Sequence, residues 1–275
     1  MNFVIYRIES AVLKPWVQYI LFNHSSESQY HGEIRSFANT NYCLGIVNNQ
    51  QLHKDESGVI RLRRKTGIHS YLTGIYLHPY KFHASGQQDE ICIDFTPAGF
   101  YHFFRFHAKT FLLQEDILSE AFGKNATHYF EKVFAENDFF NRGQMIETFL
   151  LNHFIKFPEI NFLKEALYHI DQNCSGILIS TLAAKMKCSE RSIHRFFINY
   201  LDISPKEYIR VARFRKSIAL QKKARPGLTK IAYDCGYYDQ SHMIREFRYF
   251  SGSSPNDFFS SLKDISGEVF VLTKH

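Results

Sequence analysis

Two stretches of this chain repeat one pattern fifty residues apart. "SERSIHRFF" begins at Ser189 and "DQSHMIREF" at Asp239, and each is followed by a Ser-Pro pair, Ser204-Pro205 and Ser254-Pro255. A pattern recurring at a fixed offset marks a supersecondary unit used twice, which constrains the fold more than any single motif could. In the first copy Ile193, Phe196, Phe197 and Tyr200 fall at i, i+3, i+4 and i+7, so a helix would bury them as one stripe. Arg191, His194, Arg195 and Ile198 then occupy the other side. In the second copy Met243, Phe247 and Phe250 face inward, while Gln240, Ser241, His242, Arg245 and, at the far end, Arg248 point away. A period near 3.6 residues excludes strands here.

From 162 onward the whole chain reads as helix. "NFLKEALYHIDQNC" is expected to end near Ser175-Gly176. Ser180 is expected to cap "TLAAKMK", and Ser189 to cap "ERSIHRFFINYL" after a tight turn at Cys188. Ser204 suits a cap and Pro205 a first helical position, so a long helix opens there and runs to about Lys223. Ile209, Ala212, Phe214, Ile218 and Ala219 would pack, with Arg210, Arg213, Arg215 and Lys216 expected outside. Thr229 is expected at or near the cap of "KIAYDC", Gly236 at a turn, and Asp239 at the cap of the second repeated helix. Each pair of short helices, the second presenting long polar donors from its first turns, is a helix-turn-helix arrangement suited to the major groove. At about 1.5 Å per residue the intervening helix is roughly 28 Å long. Successive faces of one major groove recur about every 34 Å, so a single chain could carry two reading heads about one turn apart.

Charge agrees with a polyanionic partner. Residues 160–263 hold 17 Lys and Arg against 9 Asp and Glu, a net +8, whereas residues 1–159 hold 15 against 16, a net −1. Each phosphate neutralised by Lys or Arg releases condensed counterions. Charge alone would serve a solvated basic face equally well. Arg can pair bidentately with guanine, Gln with adenine, and His can donate to an acceptor on a base edge. Arg195 and Arg245 fit either base reading or a phosphate or ion-pair role, and Ile198 fits either a thymine methyl or the core.

Up to about residue 112 the texture is β-like, with "YCLGIVN", "GVIRLR", "SYLTGIYL", "KFHASG" and "EICIDFTPAGFYHFFRF" as short runs broken by Gly, Pro and Asn. "EICIDF" alternates Ile91, Ile93 and Phe95 against Cys92 and Asp94. Helical spacing then appears in "ILSEAFG", "ATHYFEKVFAEN" and "RGQMIETFLLNHFI". "KFPEIN" is the expected boundary. The fold class expected is therefore α+β in two domains: residues 1–158 β-rich with packed helices, and residues 162–263 all-α, two helix-turn-helix units joined by a long linker helix.

The motifs "LAAKMKCSERSIHRFF", "ISPKEYI", "IAYDCGYYDQSHMIREFR" and "GSSPNDF" resemble the DNA-binding domain of AraC/XylS-type transcriptional regulators over roughly residues 165–262. That resemblance implies base-reading positions at Arg191, His194 and Arg195 and at Gln240, His242 and Arg245. It also implies double-stranded DNA and RNA polymerase as partners, and it leaves a homodimer and a small-molecule effector open. Departures from the family pattern are Ile198 in place of a basic residue, Asp202 in place of Gly, Met243 in place of an aromatic and Ser251 in place of Phe. Ile198 and Asp202 both reduce positive charge near the first head. "KPWVQYI", "FTPAGFYHFF" and the helical run to "IETFLL" are similar to the sensory or oligomerisation halves attached to such regulators. Tyr42, Tyr76, Phe95, Phe100, Tyr101 and Phe103 could line a pocket there, although aromatic residues at strand spacing usually form core.

Other chemistries fit poorly. Cys43, Cys92, Cys174, Cys188 and Cys235 are odd in number and scattered, which argues against a disulfide framework and for a reducing compartment. His78 and His83 would face opposite sides of a straight strand, so the 14 histidines suggest no metal site, and no nucleophile elbow or phosphate-binding Gly loop is present. No enzyme activity, metal or cofactor is expected. Arg7 and Glu9 interrupt what would be a signal-peptide core, and no run of about eighteen apolar residues occurs, so the expected location is the cytoplasm, without a membrane. The function expected is sequence-specific DNA-binding transcription regulation through recognition helices at about 189–200 and 240–250. The rival is a protein-interaction module with a ligand-binding N-terminal domain.

Overall fold

The protein is described from a computed structural model that covers residues 2–26, 31–56, 59–106, 116–265 and 269–274. Its N-terminal part contributes strands β1 (Asn2–Tyr6), β2 (Val17–Ser25), β3 (His31–Arg35), β4 (Tyr42–Lys54), β5 (Ile60–Thr73), β6 (Lys81–Ser85) and β7 (Gln88–Phe95). A C-terminal hairpin adds β8 (Leu262–Ile265) and β9 (Val269–Lys274), and the sheet runs β1-β2-β7-β4-β5-β6-β3-β9-β8. Neighbours are antiparallel except β5 and β6.

The alternation legible in "EICIDF" sorts the two faces of this sheet. Ile93 of β7 stands opposite Ile20 of β2 and Leu44 of β4, and Ile91 stands opposite Phe22 and Ile46. These residues form one buried face. On the other face Leu21 packs with Phe3, Ile5, Tyr19 and Cys92. Phe3 of β1 and Phe82 of β6 line one cavity of about 160 Å³ although their strands are far apart in the sheet order, so the sheet curls around that face.

Helices α1 (Ile117–Phe122), α2 (Asn125–Ala135) and α3 (Phe139–His153) cover the buried face, contributing Ile117, Phe130, Val133, Ile146 and Leu150. Two charged groups lock α3 in place. Glu147 accepts from Tyr6 Oη at 2.6 Å, from Glu9 N at 3.1 Å and from Ser10 N, satisfying the chain as it leaves β1. Arg142 donates to Asp89 Oδ1 at 2.8 Å and to the carbonyls of Glu136 and Phe134, so this buried cation is fully partnered.

A 3-10 turn at Pro158–Ile160 leads into α4 (Asn161–Asn173), α5 (Ile179–Lys185), α6 (Glu190–Leu201), the 20-residue α7 (Pro205–Ala224), α8 (Leu228–Asp234), α9 (Gln240–Ser251) and α10 (Pro255–Ser261). Ile160, Leu163, Leu182, Ile193, Phe197 and Tyr208 belong to the same core as the sheet and α1–α3. A second core holds Val211, Phe214, Met243, Phe247, Phe250 and Phe258, and it also takes in Phe37 and Ala38 from between β3 and β4. The divide falls within α7, where Tyr208 and Ile209 belong to the first core, Val211 and Phe214 to the second, and half-buried Ala212 packs against the first.

Two local expectations change. "TPAGFYHFF" is not strand: Gly99–His102 form a 3-10 turn, and Phe100 stacks on Phe104 at 4.5 Å, an i, i+4 contact that strand geometry cannot make. The tail after residue 261 is the β8–β9 hairpin rather than helix, joined to the sheet by Glu33↔Lys274 pairing; its β-branched "VFVLT" carried that signal. The β-texture expected for 107–112 falls outside the described residues.

Candidate nucleic-acid interface

Each repeated unit is built from caps upward. Ser189 Oγ accepts from Ser192 N at 3.1 Å to open α6, and Asp239 Oδ1 accepts from His242 N at 2.6 Å to open α9. Ser204 and Glu207 form a reciprocal capping box around Pro205, and the Ser204 N–H donated to Glu207 holds that carboxyl below the usual carboxylate range. The last unit opens its helix with the same Ser-Pro pair, Ser254 Oγ accepting from Asp257 N at 3.3 Å. Ser180 is not the cap expected of it, and Thr229 lies near a cap rather than at it. Ser180 and Thr229 each lie one residue inside their helices, whose caps are Leu178 and Gly227. Both caps have extended backbone and neither supplies a side-chain oxygen.

The left-handed positions explain one family departure. Asp202 ends α6 at φ 57°, ψ 13°, and Gly252 ends α9 at φ 71°, ψ 8°. Asp is one of the few residues besides Gly that tolerates this conformation, so the helix ends alike with a less suitable residue. Gly236, at φ +71°, has no such latitude: a Cβ there would lie 1.6 Å from the carbonyl oxygen of Ser175.

The inward stripes are buried: Ile193 and Phe197 in α6, and Met243, Phe247 and Phe250 in α9. Phe196 and Tyr200 are half-buried and stack on each other at 5.0 Å. On the opposite faces Arg191, His194, Arg195, Ser241, Arg245 and Arg248 are exposed, and Gln240 and His242 are half-buried. Ile198 is 40% exposed and belongs to the outer face rather than the core. Thr229 holds the Gln240 amide at 2.8 Å. His242 Nδ1 accepts from Tyr238 N at 3.3 Å, which leaves Nε2 as the protonated, donating nitrogen of the neutral ring.

Glu190 at the start of α6 and His242 in the first turn of α9 line one cleft of about 600 Å³ together with Leu178 and with Lys206, Ile209, Arg210 and Arg213 of α7. The N-terminal ends of both helices therefore open on the same side of the strut α7. The four cations expected outside on α7 are engaged instead. Arg210 pairs with Glu246 at 2.7 Å, Arg213 lies over the Tyr237 ring at 5.5 Å, Arg215 over Phe37 at 5.1 Å, and Lys216 donates to Ser175 Oγ at 2.7 Å. A long helix shared by two cores buries most of its circumference, which its own sequence does not reveal. Sequence reasoning missed Tyr238, 93% exposed beside the α9 cap, and Lys206 on the cleft. Only the doubled tyrosine in "GYYD" hinted at the first: one of the two, Tyr237, is core.

A pair of helix-turn-helix units on one strut defines the class of the C-terminal part. Residues 182–261 match the protein-family model described as a helix-turn-helix domain. Over 78 residues the chain is 28% identical to the HTH-type transcriptional regulator YidL of Escherichia coli, covering 28% of this chain and 26% of that protein. Over 125 residues it is 23% identical to the Msm operon regulatory protein of Streptococcus mutans, covering 44% of each. The chain thus spans between about a quarter and under half of the curated relatives it matches. Among solved structures, ToxT from Vibrio cholerae bound to (E)-4-(8-methylnaphthalen-1-yl)but-3-enoic acid aligns over 88% of this chain and 98% of its own, at 13% identity and a TM-score of 0.50. That likeness establishes the shared fold of a β-rich region followed by a helical one.

Proposed function

We propose that the chain is a sequence-specific, DNA-binding transcription regulator that reads two adjacent major-groove segments with α6 and α9. The observation carrying this reading is the matched pair of exposed polar faces, capped alike and opening on one side of α7. The 20-residue strut is about 30 Å long, close to the repeat of the major groove along one face of the duplex. Arg191, His194 and Arg195 form the first reading surface, and Gln240, Ser241, His242 and Arg245 the second. Arg245 suits bidentate pairing to guanine, Gln240 to adenine, and His242 Nε2–H an acceptor base edge. Arg248, at the far end of α9, and Lys206 suit phosphate contacts that set register.

Occupancy of promoter sites in the cytoplasm, contact with RNA polymerase, dimerisation and response to a small effector follow from the family resemblance. The cavity of about 160 Å³ within the curled sheet is smaller than ordinary metabolite pockets and adds no support for an effector. Selection of bound sequences from random duplex DNA by the full chain tests the reading. A recovered motif with two sub-sites about one helical turn apart supports it, as does a steep fall in affinity with salt. No enriched sequence together with a flat salt response would refute it in favour of a protein-binding module.

A further inference from the structure

The two recognition helices are held by the β-rich region at one and the same backbone position. In an α-helix the last four carbonyls lack intrahelical partners and must find other donors. Tyr200 and Phe250 are the penultimate residues of α6 and α9, related by the fifty-residue repeat. The Tyr200 carbonyl accepts from the hydroxyls of Tyr42, at 3.2 Å, and Tyr101. The Phe250 carbonyl accepts from Ala38 N at 2.9 Å. Donors thus reach the negative end of each helix dipole from the same part of the molecule.

The donors sit on a short, braced stretch of chain. Phe37 and Ala38 enter the second core, where the Phe37 ring meets Phe258 at 5.1 Å, while Tyr42 begins β4 in the first core. Between them Asn39 N donates to Tyr76 O at 3.2 Å, Thr40 N donates to Asn39 Oδ1 at 2.9 Å, and the Asn41 amide donates to Asp94. Just before them Ser36 N donates to Tyr80 O at 3.0 Å. This six-residue stretch, tied to the β-rich region at Asn39, Asn41 and Tyr42, therefore grips both reading heads, each head lying in a different hydrophobic core.

We propose that Phe37–Tyr42, together with Tyr101, is a positioning clamp that fixes the separation and relative rotation of α6 and α9, and so decides which spacing of DNA sub-sites the protein accepts. This rests on the DNA-binding reading above. One base pair added between sub-sites displaces the second by about 3.4 Å and turns it by about 35° around the duplex. A protein with its heads held rigidly cannot follow that change, whereas one with a released head can.

The test uses the full chain and the duplex recovered by selection, with variants carrying one base pair more or fewer between the sub-sites. The unmodified protein should lose at least about tenfold in affinity on either altered duplex, the cost of misplacing one or more base contacts. Tyr42→Phe/Tyr101→Phe, which removes only the two hydroxyls, should keep matched-site affinity within about threefold and shrink the spacing penalty to less than about threefold. A folded double variant that retains the full penalty overturns the clamp while leaving the DNA-binding reading intact, and so does an unmodified protein indifferent to spacing. Failure to recover any sequence overturns both. Should the double variant lose its melting transition, Tyr101→Phe is measured in its place. Phe37→Leu tests the second head on the same duplexes: a reduced spacing penalty supports the clamp, and a retained one overturns it.

Discussion

Replacing Arg210 by Met should destabilise the protein far more than replacing its partner Glu246. Arg210 reaches from α7 to α9, with Nη2 at 2.7 Å and Nε at 2.9 Å from Glu246 Oε1. Its guanidinium also lies over the rings of Tyr249 and Phe250, at 5.0 and 5.2 Å. The two side chains differ in access to water: Arg210 is 30% exposed and Glu246 only 6%. Removing Arg210 strands a carboxylate whose Oε2 already lacks any hydrogen-bond partner, and an uncompensated buried charge costs about 3–5 kcal/mol. Glu246→Leu instead leaves a cation that can turn toward solvent, at a cost of about 1 kcal/mol. Joined in one chain, the two changes should cost little more than Glu246→Leu alone, because an apolar pair of similar size replaces a buried ion pair nearly neutrally. Urea unfolding of the four proteins gives the coupling energy, expected at about 2 kcal/mol or more. Equal single effects that simply add would show that Glu246 has solvent or another cation at hand, and would refute the reasoning.

Arg245→Ala should weaken specific binding by about 1–3 kcal/mol and relax preference at one base position, measured on matched and random duplexes; equal loss on both would reduce Arg245 to a phosphate contact. Asp202→Gly should raise stability by about 1 kcal/mol, read from the melting temperature, because it relieves a left-handed backbone and removes a negative charge from the end of α6. Burial raises the Asp94 carboxyl from 3.8 to about 7, against opposing help from Tyr19 and Arg215. The folded protein then holds a proton that the unfolded chain has released, so stability should fall as pH rises from about 4 to about 7 and level off above, and Asp94→Asn should flatten that slope in melting curves. Ile198→Lys, on the exposed face of α6, should strengthen binding to random DNA and steepen its salt dependence by about one counterion.

The sequence alone determined the repeated helical units, their main caps and which faces of α6 and α9 are buried, because spacing at 3.6 residues and Ser, Asp and Pro at helix starts express energies felt within a few residues. It determined the alternation in β7 for the same reason. It placed the cap of α5 two residues late, at Ser180 rather than Leu178, where no side chain caps the helix, and it read Gly99–His102 as strand because aromatic residues suit both. Tertiary structure decided what lies between distant segments. Arg210, Arg213, Arg215 and Lys216 look like a solvated face until Glu246, Tyr237, Phe37 and Ser175 arrive beside them. The hold on the penultimate carbonyls of α6 and α9 belongs to the same class: a backbone oxygen has no side-chain identity, so its partners at Ala38, Tyr42 and Tyr101 can be found only once the sheet and the helices have been brought together.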